Sequence, residues 1–232
     1  MRKYDNPGRR QALGGLAAWS AVGVVLGACG ISGDGPEPSS PEPAPEPAPE
    51  PAPEPLGQPS SSKLLVDDPM IGTPAPTWDV PFVGASAPRL SDLQGRVVLL
   101  RFWTDTCPFC RATAPALVAI DEAYRARGVT VVGMYHPKPR GSARDPAAVA
   151  EVAERYGFSF PVGLDMDWSV LDAYWLSKPG RRYTSVSFLI DQGGTVRFIH
   201  PGPEFHPAGA DDHEQCRTDY AAVTAAIDSL LA

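Results

Sequence analysis

Two cysteines, Cys107 and Cys110, stand three positions apart in "TDTCPFCRATAP" (residues 104–115), between an apolar run and a stretch patterned as a helix. Residues i and i+3 across the first turn of a helix share a face, near enough for the geometry a disulfide demands. The first sulfur lies where unpaired backbone amides and the helix dipole favour negative charge. Such a placement lowers a thiol pKa from about 8.5 into a range of about 3.5–7.5, which makes a nucleophile at neutral pH. Cys107 is the candidate nucleophile and Cys110 the candidate resolving thiol. Pro108 suits the first helical position, where its missing N–H has no partner to lose. The chemistry expected is thiol-disulfide exchange through a Cys107–Cys110 disulfide, and no bound cofactor is required because electrons travel through sulfur.

The elements that must hold this pair can be read on either side of it. "RVVLLRFW" (96–103) is an apolar run too short for a helix and rich in Val and Leu, which predicts a buried central strand. "GVTVVGMY" (128–135) reads the same way. Between them, residues 108–127 carry Leu117, Ile120 and Tyr124 at helical spacing, with Gly128 as the stop. The three elements make a βαβ unit. Asp145 and Pro146 then mark a second helix, with Val149, Val152, Ala153 and Tyr156 on one face. A strand is expected near 160–164 and a short helical stretch near 168–175, whose Trp168 and Trp175 should fill core. "SVSFLID" (185–191) and "TVRFI" (195–199), separated by "QGG", predict a hairpin. A last helix over about 212–231 places Cys216, Tyr220, Val223, Ile227 and Leu230 on one stripe. The fold class is α/β, a mixed central sheet with helices on both faces.

"FWTDTCPFCRATAP" (102–115) resembles the active-site segment of the thioredoxin superfamily, with Trp103, Cys107, Cys110 and Pro115 in register. "GTPAPTWDVP", "LSDLQGRVVLLRFW" and "SFLIDQGGTVRFIHPG" are similar to the TlpA/ResA-like, redoxin branch of exported or membrane-anchored thiol-disulfide oxidoreductases. The likeness covers roughly residues 72–232. It implies a thioredoxin-like fold, Trp103 packed beside the site, and protein thiols or disulfides, or a membrane electron donor, as partners. Three positions depart from the pattern. Arg101 stands where thioredoxin has a buried Asp, and either points inward to act on a thiol or reaches solvent from a strand end. Ser185, preceded by Thr184, stands where the family has a cis-proline facing the disulfide. Thr106 replaces the aromatic residue often found before the first cysteine.

The chain begins unlike a folded domain. Arg2, Lys3, Arg9 and Arg10 precede the 16 apolar residues "LGGLAAWSAVGVVLGA" (13–28), short of the roughly 20 that a spanning helix needs. "LGAC" (26–29) resembles the lipobox of bacterial lipoproteins, which implies cleavage after residue 28 and lipidation of Cys29. An ordinary secretory signal is the alternative, and Arg9-Arg10 also resembles a twin-arginine signal. Residues 29–62 form a tether dominated by "PEPSSPEPAPEPAPEPAPEPLGQP", whose alternating prolines and glutamates predict extended polyproline II. The folded domain is assigned to residues 63–232. Removal of residues 1–28 takes away four basic groups and one acidic, so net charge falls from −7 to −10. An acidic mature chain is a poor partner for nucleic acid. Membrane attachment would rest on the lipid, on the extracytoplasmic side.

Cys216 is left over, and its place on the apolar stripe suggests a small buried hydrophobe. "HEQC" (213–216) is nonetheless an HxxC that, joined to the CxxC, would complete a four-ligand zinc set. The separation of some hundred residues and the redox reading of the first pair weigh against it, and no metal is assigned. Two other functions compete with exchange. A peroxiredoxin-like thiol peroxidase would use Thr104, three residues before Cys107, although Leu100 occupies that family's proline position. A non-enzymatic lipoprotein binding module would use the pair as a static staple. His136, His200 and His206 lie near prolines or strand ends, where solvated or hydrogen-bonded histidines are ordinary.

Overall fold

Alternation along one strand divides the core. The computed structural model of the protein describes residues 67–84, 86–208 and 213–232; Cys29, the signal segment and the proline-rich tether lie outside them. All seven residues of β2 (Val97–Trp103) are buried. Val97, Leu99 and Trp103 join one apolar cluster, while Val98, Leu100 and Phe102 join another on the opposite face, as the period of two requires. Arg101 has the parity of Leu99 and Trp103.

The strands are β1 (Phe82–Val83), β2, β3 (Val129–Tyr135), β4 (Val162–Leu164), β5 (Ser187–Ile190) and β6 (Val196–His200). Their order is β1-β4-β3-β2-β5-β6. β2, β3 and β4 are mutually parallel, and β1, β5 and β6 pair antiparallel with their neighbours. The predicted mixed sheet and the hairpin are therefore present. Asp191 closes that hairpin by accepting the amides of Gly193 and Thr195 at 2.9 Å each. β1 has only two residues, too few to show a pattern, and sequence reading did not anticipate it.

Three helices cover one face. α1 (Pro108–Tyr124) contributes Ala116, Leu117 and Ile120, α2 (Pro146–Arg155) contributes Val149, Val152 and Ala153, and α4 (Glu214–Leu231) contributes Val223 and Ile227. Asp145 caps α2 by accepting the Ala147 amide at 2.9 Å. The other face is covered by the short helical stretch expected near 168–175 together with irregular chain. It carries the three-residue α3 (Ser169–Leu171), a π turn over Asp172–Leu176, and an irregular segment that buries Met70, Ala75, Trp78 and Leu93. Trp168 and Trp175 do fill core there. Among the described residues no helix is long and apolar enough to cross a membrane.

One backbone approach matters for the site. After β6 the chain turns at Gly202, whose φ of 89° is in the left-handed region, and passes against the segment before β5. A Cβ at Gly202 would lie 2.3 Å from the Ser185 carbonyl oxygen. Only glycine fits both the dihedral and the gap. Gly202→Ala is expected to cost about 1–3 kcal/mol of stability in a denaturant titration; an unchanged midpoint would mean that the loop retreats from Ser185 without strain.

Candidate active site

β2 delivers Trp103 to the edge of the core, and three residues later the chain enters α1 with Cys107 as its N-cap and Pro108 at the first helical position. Cys107 has extended backbone (φ −94°, ψ 119°), and its carbonyl accepts the Arg111 amide at 3.2 Å as the first bond of the helix. Its side chain is thereby aimed at the amides that follow. Cys107 is half-buried and Cys110, one turn on, is 3% exposed. Both are free thiols.

The two sulfurs titrate apart. The Cys110 thiol donates toward Cys107 and does most to lower the Cys107 pKa, to about 5. Burial opposes that shift, while the Ser185 hydroxyl and the amides of Cys110 and Phe109 reinforce it. Cys110 moves well above the ordinary thiol value because it is the donor in this pair and because it is buried. At neutral pH the arrangement therefore favours one thiolate held by one thiol.

Arg101 resolves inward. It is fully buried, donates from Nη1 to Ser187 Oγ at 3.2 Å and from Nη2 to the Pro203 carbonyl at 2.7 Å, and lies 5.7 Å from the centroid of the Phe205 ring. Its charge acts on Cys110, whose pKa it lowers against burial. Burial in turn lowers the Arg101 pKa, and the two sulfurs and Glu204 oppose that. Of the two positions left open for Arg101, a buried cation near the resolving thiol is the one found. The signal was available in the parity of β2.

Ser185, which the sequence resemblance sets at a cis-proline position, faces the pair. Its Oγ lies 3.1 Å from Cys110 Sγ and 3.6 Å from Cys107 Sγ, so a hydroxyl touches both sulfurs where proline would offer none. Thr184 beside it is buried, and its hydroxyl has no hydrogen-bond partner. Trp103 is buried with Cys110 in one cluster and stacks edge-on against Tyr135 at 5.1 Å and Phe158 at 5.4 Å between ring centroids. α1 continues through Pro115, which lines a cavity of about 350 Å³ with Ala112, Ala116 and His206.

The rim around Cys107 is polar. Asp105, Thr106, Pro108, Arg111 and Tyr156 border a recess of about 190 Å³ that contains the sulfur. Asp105 accepts from Thr104 Oγ1 at 3.3 Å and from Tyr135 OH at 3.1 Å, and pairs with Arg144 at 2.6 Å. A larger groove of about 650 Å³, bordered by Ala153, Phe158 and Phe160, holds neither cysteine.

The remaining sequence expectations divide. Cys216 is not in the core cluster; it is partly buried, 3.7 Å from Glu204 Oε1, because the turn after β6 runs alongside its helix. His213 and Cys216 gather with Glu204 and His206 rather than with Cys107 and Cys110. His200 is buried against Asp219 at 3.0 Å. His136 is buried edge-on to Trp168 with neither ring nitrogen partnered, and burial lowers its pKa to about 3; a solvated histidine does not describe it.

Alkylation of the reduced protein by iodoacetamide should plateau above about pH 6 and fall with a midpoint near pH 5, since the lowered Cys107 pKa keeps the thiolate until that window. Ser185→Ala should raise the midpoint and make the reduction potential more negative, because it removes stabilisation from the reduced pair. A midpoint near 8.5 in the unaltered protein would contradict the geometry.

A family model described as the AhpC/TSA family matches residues 71–199. The thiol-disulfide oxidoreductase ResA of Geobacillus kaustophilus is 30% identical over 132 residues, 57% of this chain and 70% of its own length. The protein DipZ of Mycobacterium tuberculosis is 34% identical over 113 residues, 49% of this chain, and the match spans only 15% of DipZ. Among solved structures, a protein assigned as thiol:disulfide interchange protein DsbE from Chlorobium tepidum superposes with a TM-score of 0.56 at 25% identity, covering 70% of this chain and 98% of its own. The chain has a thioredoxin-like fold and belongs to the AhpC/TSA family, in company with the ResA-type thiol-disulfide oxidoreductases.

Proposed function

We propose that this protein exchanges disulfides with protein partners outside the cytoplasm, held at a membrane by a lipid on Cys29. In the reducing direction the Cys107 thiolate attacks one sulfur of a partner disulfide. A Cys107–partner bond forms, the partner's S–S bond breaks, and the departing partner sulfur takes a proton. Cys110 then gives up its proton and attacks Cys107 Sγ, which closes the Cys107–Cys110 disulfide and expels the second partner thiol. Two electrons have passed from the pair to the partner. Started from the oxidised pair, the same steps run in reverse.

The observation that carries this reading is a pair of free cysteines across the first turn of a helix with one hydroxyl against both sulfurs. Arg101 supports the second step. Once Cys107 is consumed in a mixed disulfide, Cys110 no longer has a thiolate to donate to, and the buried cation favours its ionisation. A peroxidase would place the Thr104 hydroxyl at the sulfur. That hydroxyl donates to Asp105, and the one at the sulfurs belongs to Ser185.

Cys110→Ser should accumulate mixed disulfides through Cys107 that a reducing gel dissolves, and Cys107→Ser should accumulate none through this site. Absence of trapped partners together with rapid peroxide consumption would replace exchange with peroxidase chemistry. For the anchor, Cys29→Ser should move the protein from the membrane to the soluble fraction; unchanged membrane recovery would sink the lipid reading while leaving the redox chemistry intact.

A further inference from the structure

Apart from the redox pair, four ligating side chains gather at one point: Glu204, His206, His213 and Cys216. Each offers one donor atom, and the four atoms all lie within 4.8 Å of one another. Two elements supply them. Glu204 and His206 come from the turn after β6. His213 precedes α4 and Cys216 lies in its first turn, three residues on and hence on the same face. The two elements are tied by the backbone, since the His206 amide donates to the Cys216 carbonyl at 3.2 Å.

The donor atoms crowd one another. His206 Nε2 and His213 Nδ1 stand 3.1 Å apart, a contact in which one imidazole must donate to the other. His206 Nδ1 is buried without a hydrogen-bond partner among the described residues. Cys216 Sγ lies 3.7 Å from Glu204 Oε1, a sulfur set against a carboxylate. A cation at the centre would relieve all of this. It would take the lone pairs of two neutral imidazoles and neutralise a thiolate and a carboxylate that otherwise repel.

The donor set selects the ion. One sulfur, two imidazole nitrogens and one carboxylate oxygen suit a borderline, four-coordinate metal, whereas magnesium and calcium take six or more oxygens. Bonds of about 2.0–2.3 Å in a tetrahedron put neighbouring donors roughly 3.3–3.8 Å apart. The His206–His213 separation of 3.1 Å and the Cys216–Glu204 separation of 3.7 Å are already near that, and the widest pair must close by about 1 Å.

We infer that Glu204, His206, His213 and Cys216 form a structural zinc site that clamps the turn after β6 onto α4, separate from Cys107 and Cys110. Binding replaces the Cys216 S–H bond with S–Zn and releases that proton to solvent. Four protein ligands leave no open position, so the role is to hold and not to react. The clamped turn also carries Pro203, whose carbonyl receives Arg101.

The test uses the full chain, without a histidine tag, carrying Cys107→Ser and Cys110→Ser so that the redox pair cannot chelate. Titration with zinc against a chromogenic chelator should give one ion per chain. Cobalt(II) should give a sulfur-to-metal charge-transfer band and the visible bands of a tetrahedral ion. Adding Cys216→Ser should abolish the charge-transfer band and weaken zinc binding on the order of 100-fold. His213→Gln should weaken it similarly with the far-ultraviolet spectrum of the fold retained. The assignment is overturned if this background binds no stoichiometric zinc, or if the ion it binds is held equally well after both substitutions.

Discussion

A negative sulfur at the start of a helix, held by a neighbouring thiol, a hydroxyl and two amides, is the interaction around which this protein is organised. Cys107 is half-buried and burial disfavours its charge; the Cys110 thiol does most to outweigh that, and the hydroxyl and amides add to it. They work together because three chain segments converge within a few ångströms. The end of β2 sets the position of the helix start. The segment before β5 brings Ser185. The turn after β6 presses on Ser185 through Gly202, with no side chain to keep the backbones apart.

Arg101 gives the site its second character. Thioredoxin's carboxylate in this position can hold a proton; a guanidinium stays charged and offers only donors. It cannot act as a base for Cys110, yet it makes that thiol's ionisation less costly in a buried place. The same side chain donates to Ser187 on β5 and to Pro203 beyond β6, so one cation fastens the two segments that flank the sulfurs. A buried charge is expensive, and the two nearby sulfurs and the Glu204 carboxylate are what this one has in exchange.

Much of this was legible before the structure. The strand of apolar residues, the CPFC pair, Trp103, Pro108 and Pro115 lie close together in the chain, where periodicity and capping rules act, and all stand where expected. Ser185 was placed opposite the pair by resemblance, but its contact with both sulfurs follows from packing. Arg101 was half legible: parity with Leu99 and Trp103 places it on the helix-covered face, while its charge argued for solvent. What pattern did not disclose depends on loops. β1 is too short for alternation to register. Cys216 fits an apolar stripe, and only the turn after β6 brings Glu204 and His206 to it. His136 ends a strand beside prolines, where solvent seemed natural, until Trp168 folds over it.

The shallow bowl around Cys107 has a consequence for what the protein accepts. Its volume is about 190 Å³, and its walls are Asp105, Arg111 and Tyr156 rather than a deep greasy slot. Under the proposed exchange, a cystine on a protruding loop or on an unfinished, still pliant chain would meet Cys107 more readily than one sunk within a rigid globule, so discrimination would lie in how a bond is displayed more than in the residues around it.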